Sequence, residues 1–481
     1  MFLRGSVSHL LCLMLLWFTV APWTARAGAP SDADRVLGDW NGALEAGGQK
    51  LRIAFHFTRR ADGGLAGTMD SPDQGALGLA LDSVSVSGDT LRLALKRAGG
   101  SYQGVIAADA TSLRGTWAQG GFTMPLDFGR GAAPERRRPQ DPVKPYPYDE
   151  EEVLIESAAA QVILAGTLTK PHGAGPFPAV ALITGSGPQN RDEELLRHRP
   201  FLVLADHLTR AGLAVLRCDD RGTAKSTGDF AAATTADFAG DARAEVEYLR
   251  ARRDVDRTRI GLIGHSEGGL IAPLLAAGRK DVAFVVLMAG PGVPGDSLLL
   301  LQGAALTKAA GEPDSFVVWN RRLQRRLFAA VKVEQDTSAL KQRLREIITH
   351  GMDEPPGARL RSLGPVFVES QIAMMATPWF RWFVANDPRP ALSKLKCPVL
   401  AVTGGNDLQV PPQENLPAIG AALRAGRNRD FETVELPGLN HLFQSSTTGL
   451  PAEYGTIEET IAPAALDTVT KWIEARVGRK R

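Results

Sequence analysis

From residue 150 onward, short apolar runs alternate with helical stretches, and this alternation limits the chain to few architectures. The runs are AVALITG (179–185), LAVLRCD (213–219), RIGLIG (259–264), AFVVLMAG (283–290), CPVLAVTG (397–404) and FETVEL (431–436). Most are continuously apolar, so both faces of such a strand need cover. FLVLADHLTRAG (201–212) and TADFAGDARAEVEYLRAR (235–252) supply helices between them. The pattern specifies an α/β class with a mostly parallel sheet between helical layers. VLIES and VILAGTL read as a leading hairpin. Residues 291–395 break the rhythm with helical text alone, such as VWNRRLQRRLFAAVKVEQ (318–335). An insertion of that length is too long for a loop and reads as a helical cap over the strand ends. The α/β unit then spans 150–478.

Residues 36–128 follow a different period. LRIAFHF (51–57), LRLALK (91–96) and FTMPLDF (122–128) alternate apolar and polar positions, with Gly-rich turns between them. That is a small N-terminal all-β unit of antiparallel strands. Its opening GDWNG (38–42) resembles the start of lipocalin-like strands, and no chemistry is visible in it. Residues 129–149 are rich in Pro and Arg and lose apolar periodicity, as a linker does. Arg136 to Arg138 reads as a solvated charge run rather than a phosphate patch.

Residues 1–27 read as a signal peptide. Arg4 precedes an apolar stretch from Leu10 to Val20, and Ala25-Arg26-Ala27 gives an A-x-A cleavage site. The apolar stretch is short of the roughly 20 residues that a spanning helix needs. Cleavage near Ala27–Gly28 would deliver the mature chain to the periplasm or the exterior, with no stable membrane insertion afterwards. The chain carries 55 Lys+Arg against 53 Asp+Glu, and loss of Arg4 and Arg26 leaves 53 against 53. A neutral chain argues against a broad surface for nucleic acid or acidic lipid. Of three cysteines, Cys218 and Cys397 remain after cleavage, and no Cys/His cluster has zinc spacing.

The stretch IGLIGHSEGGLIAP (260–273) carries a candidate nucleophile, Ser266, in a G-x-S-x-G box. In a chain with 50 Gly such a box arises by chance in roughly a quarter of cases, so its context decides. Ser266 follows a predicted parallel strand and opens a helix. At so tight a turn, side chains at Gly264 and Gly268 would clash. A serine hydroxyl needs a base and an orienting acid. Of eight His, only His350 and His441 follow Ser266. His350 lies in the predicted cap, whereas His441 sits in LPGLNHLF after the final strand. Asp407, in AVTGGNDLQVPP after the penultimate strand, supplies the acid. The order Ser, Asp, His places three residues in three strand-end loops. Oxyanion donors are expected from the backbone N–H of Glu267 and from TGSGPQNRDE (184–193), with Ser186 the choice and Gly187 the alternative. Trp379 and Trp382 in the cap either line an acyl pocket or pack the cap itself. Asp219, Asp220 and Arg221 read as an ion-paired structural loop rather than acid–base machinery.

Taken together, ITGSGPQNRDE, VLRCDDRGTAKSTGDF, IGLIGHSEGGLIAP, LMAGPGVPGD, CPVLAVTGGNDLQVPP and LPGLNHLFQ resemble bacterial α/β-hydrolase carboxylesterases of the EstD type. The resemblance covers residues 150–478, cap included. It implies the α/β-hydrolase fold, a Ser266–Asp407–His441 triad, and neither metal nor organic cofactor. Thr184 departs from the family habit of a His in an H-G motif, and Cys218 stands where an aromatic is usual. In the strand order usual for this fold, 1-2-4-3-5-6-7-8, Cys218 and Cys397 lie too far apart for a disulfide. The expected activity is that of an exported serine carboxylesterase acting on a small-molecule ester with a short or medium acyl chain, through an acyl-enzyme. A peptidase, amidase or thioesterase with the same triad, and a non-catalytic binding protein, are the alternatives.

Overall fold

The computed structural model describes residues 32–46, 49–72, 76–119, 122–132, 138–157 and 160–478. The predicted signal peptide therefore lies outside the described residues, as do Arg136 and Arg137. The first ten strands are β1 (Gly38–Ala46), β2 (Gln49–Arg59), β3 (Leu65–Ser71), β4 (Ala76–Ala80), β5 (Ser83–Ser87), β6 (Thr90–Leu95), β7 (Gly100–Ile106), β8 (Ser112–Gln119), β9 (Phe122–Pro125) and β10 (Phe128–Arg130). They form one antiparallel sheet in the order β4-β3-β2-β1-β10-β8-β7-β6-β5, with β9 beside β8. Alternate residues turn inward, so Trp40, Phe55, Tyr102 and Phe128 share one core. The Tyr102 and Phe128 rings meet edge to face at 5.3 Å. FTMPLDF differs from its expected single strand. Pro125 lacks an N–H for the ladder, and the run breaks into β9 and β10, with Phe122 64% exposed and Phe128 2%.

Eight further strands form the second sheet: β11 (Asp149–Ser157), β12 (Val162–Lys170), β13 (Phe177–Ile183), β14 (Ala214–Cys218), β15 (Val255–His265), β16 (Phe284–Met288), β17 (Val399–Gly404) and β18 (Phe431–Leu436). Their order is β11-β12-β14-β13-β15-β16-β17-β18. β11 and β12 pair antiparallel, β12 meets β14 antiparallel, and every pairing from β14 through β18 is parallel. This mixed sheet, covered on both faces, is the α/β-hydrolase arrangement.

The sheet's two faces are separated by the period of the strands. Ala179, Ala181, Leu262 and Leu287 pack toward α2 (Thr235–Ala251), α3 (Gly268–Ala276) and α10 (Pro412–Ala425). Val180, Leu182, Ile263 and Val286 pack toward α1 (Pro200–Arg210) and α12 (Pro463–Val477). Between β16 and β17 the described elements are helical: α4 (Gly295–Ala309), α5 (Asp314–Val333), α6 (Thr337–Asp353), α7 (Gly364–Met375), α8 (Pro378–Ala385), α9 (Arg389–Leu392) and a short 3-10 turn. Trp319, Leu340, Ile372 and Phe380 form their shared core. A short helix, α11 (Pro451–Tyr454), precedes α12.

Arg138 is not the solvated charge expected from sequence. Its guanidinium donates to the carbonyls of Leu196, Gly455 and Ile457, fastening this stretch to the α/β unit. Helix-end carbonyls and turn carbonyls lacking partners draw a long cationic side chain inward. No helix among the described residues is long and apolar enough to cross a membrane.

Candidate active site

Ser266 follows β15 and precedes α3 with φ +51, a left-handed conformation that costs a non-glycine residue about 1–3 kcal/mol. Its N–H donates to Met288 O at 2.8 Å, which ties the turn to β16. The flanking glycines are sterically required. A Cβ at Gly264 would fall 2.0 Å from Gly268 O, and one at Gly268 would fall 2.1 Å from Ile183 O. The turn thus aims the hydroxyl away from the sheet, at the N-terminal end of α3, where helix N–H groups favour negative charge.

Asp407 follows β17 and is almost wholly buried. Its Oδ1 accepts the N–H groups of Gln409 and Val410, each at 2.8 Å. Its Oδ2 lies 2.8 Å from His441 Nδ1. His441 follows β18, and its Nε2 lies 3.0 Å from Ser266 Oγ. The carboxylate can only accept, so Nδ1 carries the proton and Nε2 accepts from the serine hydroxyl. The His441 loop is shaped by Asn440, whose Oδ1 takes the N–H of Leu442 and of Gln444, each at 3.0 Å. The structure therefore brings together the three residues singled out in the sequence. His350 lies apart, on α6.

A cavity of about 320 Å³ opens over Ser266. Gly185, Ser186, Glu267 and His441 line its floor, and Leu298, Leu299, Met374, Trp379 and Phe383 line its apolar wall from the cap helices. Trp379 thus borders the cavity. Trp382 instead packs, partly buried, against the Leu270–Leu298–Phe383–Val410 cluster. The Gly185 N–H is committed to Glu193 Oε1 at 2.7 Å. Ser186 and Gly187 therefore remain as the residues on this loop that could face an oxyanion, with Gly187 at φ +95.

The triplet Asp219-Asp220-Arg221 divides. Arg191 clamps Asp219 with Nε and Nη2, and Arg221 does the same to Asp241. Asp220 departs from the expected ion pairing. It accepts Thr184 Oγ1 at 2.7 Å and the Gln189 N–H at 2.9 Å, so it braces both ends of the loop that carries Ser186. Burial, with help from the nearby Glu193 and Glu267 charges, outweighs those hydrogen bonds and pushes its pKa up to about 7.

Three side chains not singled out in the sequence complete the site. Glu267, counted there only for its N–H, has a buried carboxylate whose Oε1 accepts Thr235 Oγ1 at 2.6 Å and Trp379 Nε1 at 2.8 Å. Burial raises its pKa. Glu193 and His265 form a buried pair behind the triad, at 2.9 Å. Both stand inside the quoted motifs TGSGPQNRDE and IGLIGHSEGG, which was their only signal. Among the described residues no group of His, Cys, Asp and Glu could hold a metal ion.

Residues 199–348 match the family described as serine aminopeptidase, S33. The chain is 26% identical over 342 residues to esterase EstD of Thermotoga maritima, covering 69% of each protein. Among solved structures, an esterase of Pyrococcus furiosus aligns at 16% identity with a TM-score of 0.42, over 69% of this chain and 92% of that one. Est1E of Butyrivibrio proteoclasticus, with ferulic acid bound, aligns at 18% identity with a TM-score of 0.40, over 68% and 100%. Its mixed eight-stranded sheet, the family match over residues 199–348 and the 26% identity to EstD make the chain similar to α/β hydrolases of the esterase type.

Proposed function

We propose that the protein is an exported serine carboxylesterase that hydrolyses small esters with short or medium acyl chains through an acyl-enzyme. Ser266 is the nucleophile, His441 the general base and acid, and Asp407 the residue that orients the imidazole. The observation that carries this reading is the continuous relay of 2.8 Å from Asp407 to His441 and 3.0 Å from His441 to Ser266. His441 Nε2 takes the hydroxyl proton as Ser266 Oγ attacks the acyl carbonyl. The same proton passes to the departing alkoxide, and water repeats the sequence to release the acid. The tetrahedral oxyanion is held by the N–H of Glu267 and of Ser186, with Gly187 as the alternative donor. The apolar cap wall of the cavity suits the acyl chain. The kinship with a protein named as an esterase supports ester over amide substrates.

A second reading, amide or peptide hydrolysis, draws on the description of the matched family as an aminopeptidase. Export rests on the leader read at residues 1–27. A panel of p-nitrophenyl esters, thioesters and aminoacyl p-nitroanilides, run on wild type and Ser266→Ala, tests the proposal. Ester turnover that vanishes in the variant, with fluorophosphonate labelling of wild type alone, is expected. Preferred anilide turnover would favour the second reading, and inertness to fluorophosphonate would favour a binding protein.

A further inference from the structure

Behind the triad, one buried carboxylate connects three loops that belong to three different strands. Glu193 Oε1 accepts the Gly185 N–H at 2.7 Å and faces His265 Nδ1 at 2.9 Å. His265 Nε2 in turn lies 3.0 Å from the backbone carbonyl of His441. Gly185 precedes Ser186 on the β13 loop, His265 precedes Ser266 on the elbow, and His441 is the base on the β18 loop. His265 thus joins the nucleophile turn to the base loop, and Glu193 joins both to the oxyanion loop.

The proton count at His265 follows from its partners. A peptide carbonyl only accepts, so Nε2 carries a hydrogen. Nδ1 faces a carboxylate oxygen, and an ionised carboxylate can only accept. The pair therefore places a hydrogen on both ring nitrogens. Burial alone would push the His265 pKa down, but the charge and hydrogen bond of Glu193 and the His441 carbonyl reverse this, and the net shift is upward. The titratable groups around the ring are Glu193, Asp407 and His441, whose ring centroid is 5.0 Å away. The opposite side is apolar, formed by Phe201, Leu204, Met288 and Phe443. A buried ion pair in such surroundings is no better for stability than well-packed apolar residues, because of its desolvation cost. Its geometry has another use.

We propose that Glu193 and His265 are positioning residues for the esterase reaction: a buried carboxylate–imidazolium pair that holds the oxyanion loop, the nucleophile and the base loop in register. This rests on the catalytic reading of Ser266 and His441 given above. The pair borders the cavity over Ser266 with both side chains buried. It acts through Gly185 and the His441 carbonyl, and its benefit is to fix the distance between Ser266, His441 and the oxyanion donors. Displacements near 1 Å in such a constellation cost on the order of 100-fold in rate.

The test uses the full-length protein as Glu193→Gln, Glu193→Asp and wild type. In ¹⁵N-histidine spectra at neutral pH, assigned with His265→Gln, wild type shows both ring nitrogens of His265 protonated. Glu193→Gln shows one. In Glu193→Gln, kcat for a p-nitrophenyl ester falls about 10- to 100-fold with KM little changed, and the deficit widens as pH rises. This is because an imidazolium without its carboxylate survives only at lower pH. Glu193→Asp, which keeps the charge, recovers part of kcat. A neutral His265 in folded wild type would overturn the proposal. So would a Glu193→Gln loss that is independent of pH and tracks a fall in thermal midpoint alone. If wild type lacks ester turnover and fluorophosphonate labelling, the catalytic reading itself has failed, and the protonation state of His265 still reports on the pair.

Discussion

The indole Nε1 of Trp379 donates to Glu267 Oε1 across 2.8 Å, so a cap helix is hydrogen-bonded to the residue that follows Ser266. The carboxylate also receives Thr235 Oγ1 from the start of α2. The cap wall, the elbow and a sheet-covering helix therefore meet at one buried group. Trp379 further stacks on Phe383, ring centroids 5.4 Å apart, which fixes the orientation of its N–H.

Trp379→Phe keeps most of the apolar contact but removes that donor. A hydrogen bond to a charged group contributes about 1.5–3 kcal/mol. Part of this is expected to appear at the site, as a fall of about 5- to 50-fold in kcat/KM for ester substrates. The fall should be largest for acyl chains long enough to reach the cap wall. Steady-state kinetics over an acyl-length series checks this, and equal losses at every chain length would separate the bond from substrate seating.

Asp407→Asn is expected to reduce kcat by about 10⁴-fold while leaving the fold intact, because the imidazole loses the acceptor that sets its tautomer. The Gln409 and Val410 N–H groups both donate to Oδ1, an oxygen that Asn keeps, so the loop should persist. Circular dichroism and thermal melting should match wild type. A mild kinetic effect would mean that another acid serves His441.

Gly268→Ala should be among the most destabilising single substitutions in the elbow. The added methyl falls 2.1 Å from Ile183 O, a backbone atom of β13 that cannot rotate away. Overpacking of this kind costs about 1–3 kcal/mol, and more where backbone must shift. A lowered thermal midpoint together with weakened fluorophosphonate labelling is the expected pair of results. A variant with wild-type melting would show that β13 yields more easily than its packing indicates.

Asp220 makes stability depend on pH in a specific direction. Its pKa is pushed up to about 7 by burial, above the unfolded value of about 4. The folded state therefore binds its proton more tightly than the unfolded state between those values. Its contribution is full below about pH 4 and is lost as pH rises toward about 7, on the order of a few kcal/mol. Glu245, also raised by burial, adds in the same sense. Denaturant unfolding of wild type and Asp220→Asn at intervals from pH 5 to pH 8 should show a shallower pH slope in the variant. Parallel slopes would remove Asp220 from the account.

Cys218 and Cys397 are both free thiols. Cys218 ends β14 and Cys397 lies just ahead of β17, with β13, β15 and β16 between those strands. Lateral steps of about 4.8 Å put them roughly 19 Å apart, beyond disulfide reach. Burial pushes the Cys218 thiol well up and the Cys397 thiol up to about 11. Both should alkylate slowly in the native protein and fully in denaturant without reductant. Protection that persists in denaturant would indicate a bond between chains.

The sequence carried those parts of the fold that depend on local sterics and periodicity. Continuous apolar runs specify strands covered on both faces, and β13 to β17 fall on those runs because no other packing hides both sides of such a strand. Gly264 and Gly268 were legible because the elbow's clash is with atoms only a few residues or one strand away. Ser266, Asp407 and His441 were legible because strand ends of a parallel sheet gather at one edge, so order along the chain reports proximity. The rest needed the tertiary structure. Glu193 and His265 are 72 residues apart, and Trp379 and Glu267 are 112 apart. Nothing local in either pair distinguishes them from solvated charges or core aromatics. Asp220 looked like a neighbour of Arg221, yet Arg221 turned to Asp241 and left Asp220 to the Thr184–Gln189 loop. Arg138 looked like a surface charge until the carbonyls of Leu196, Gly455 and Ile457 converged on it. In each case the partner is a buried polar group that only closure of the fold brings near. The sequence marks such a side chain as polar, and only the assembled packing decides which donor or acceptor is left to satisfy it.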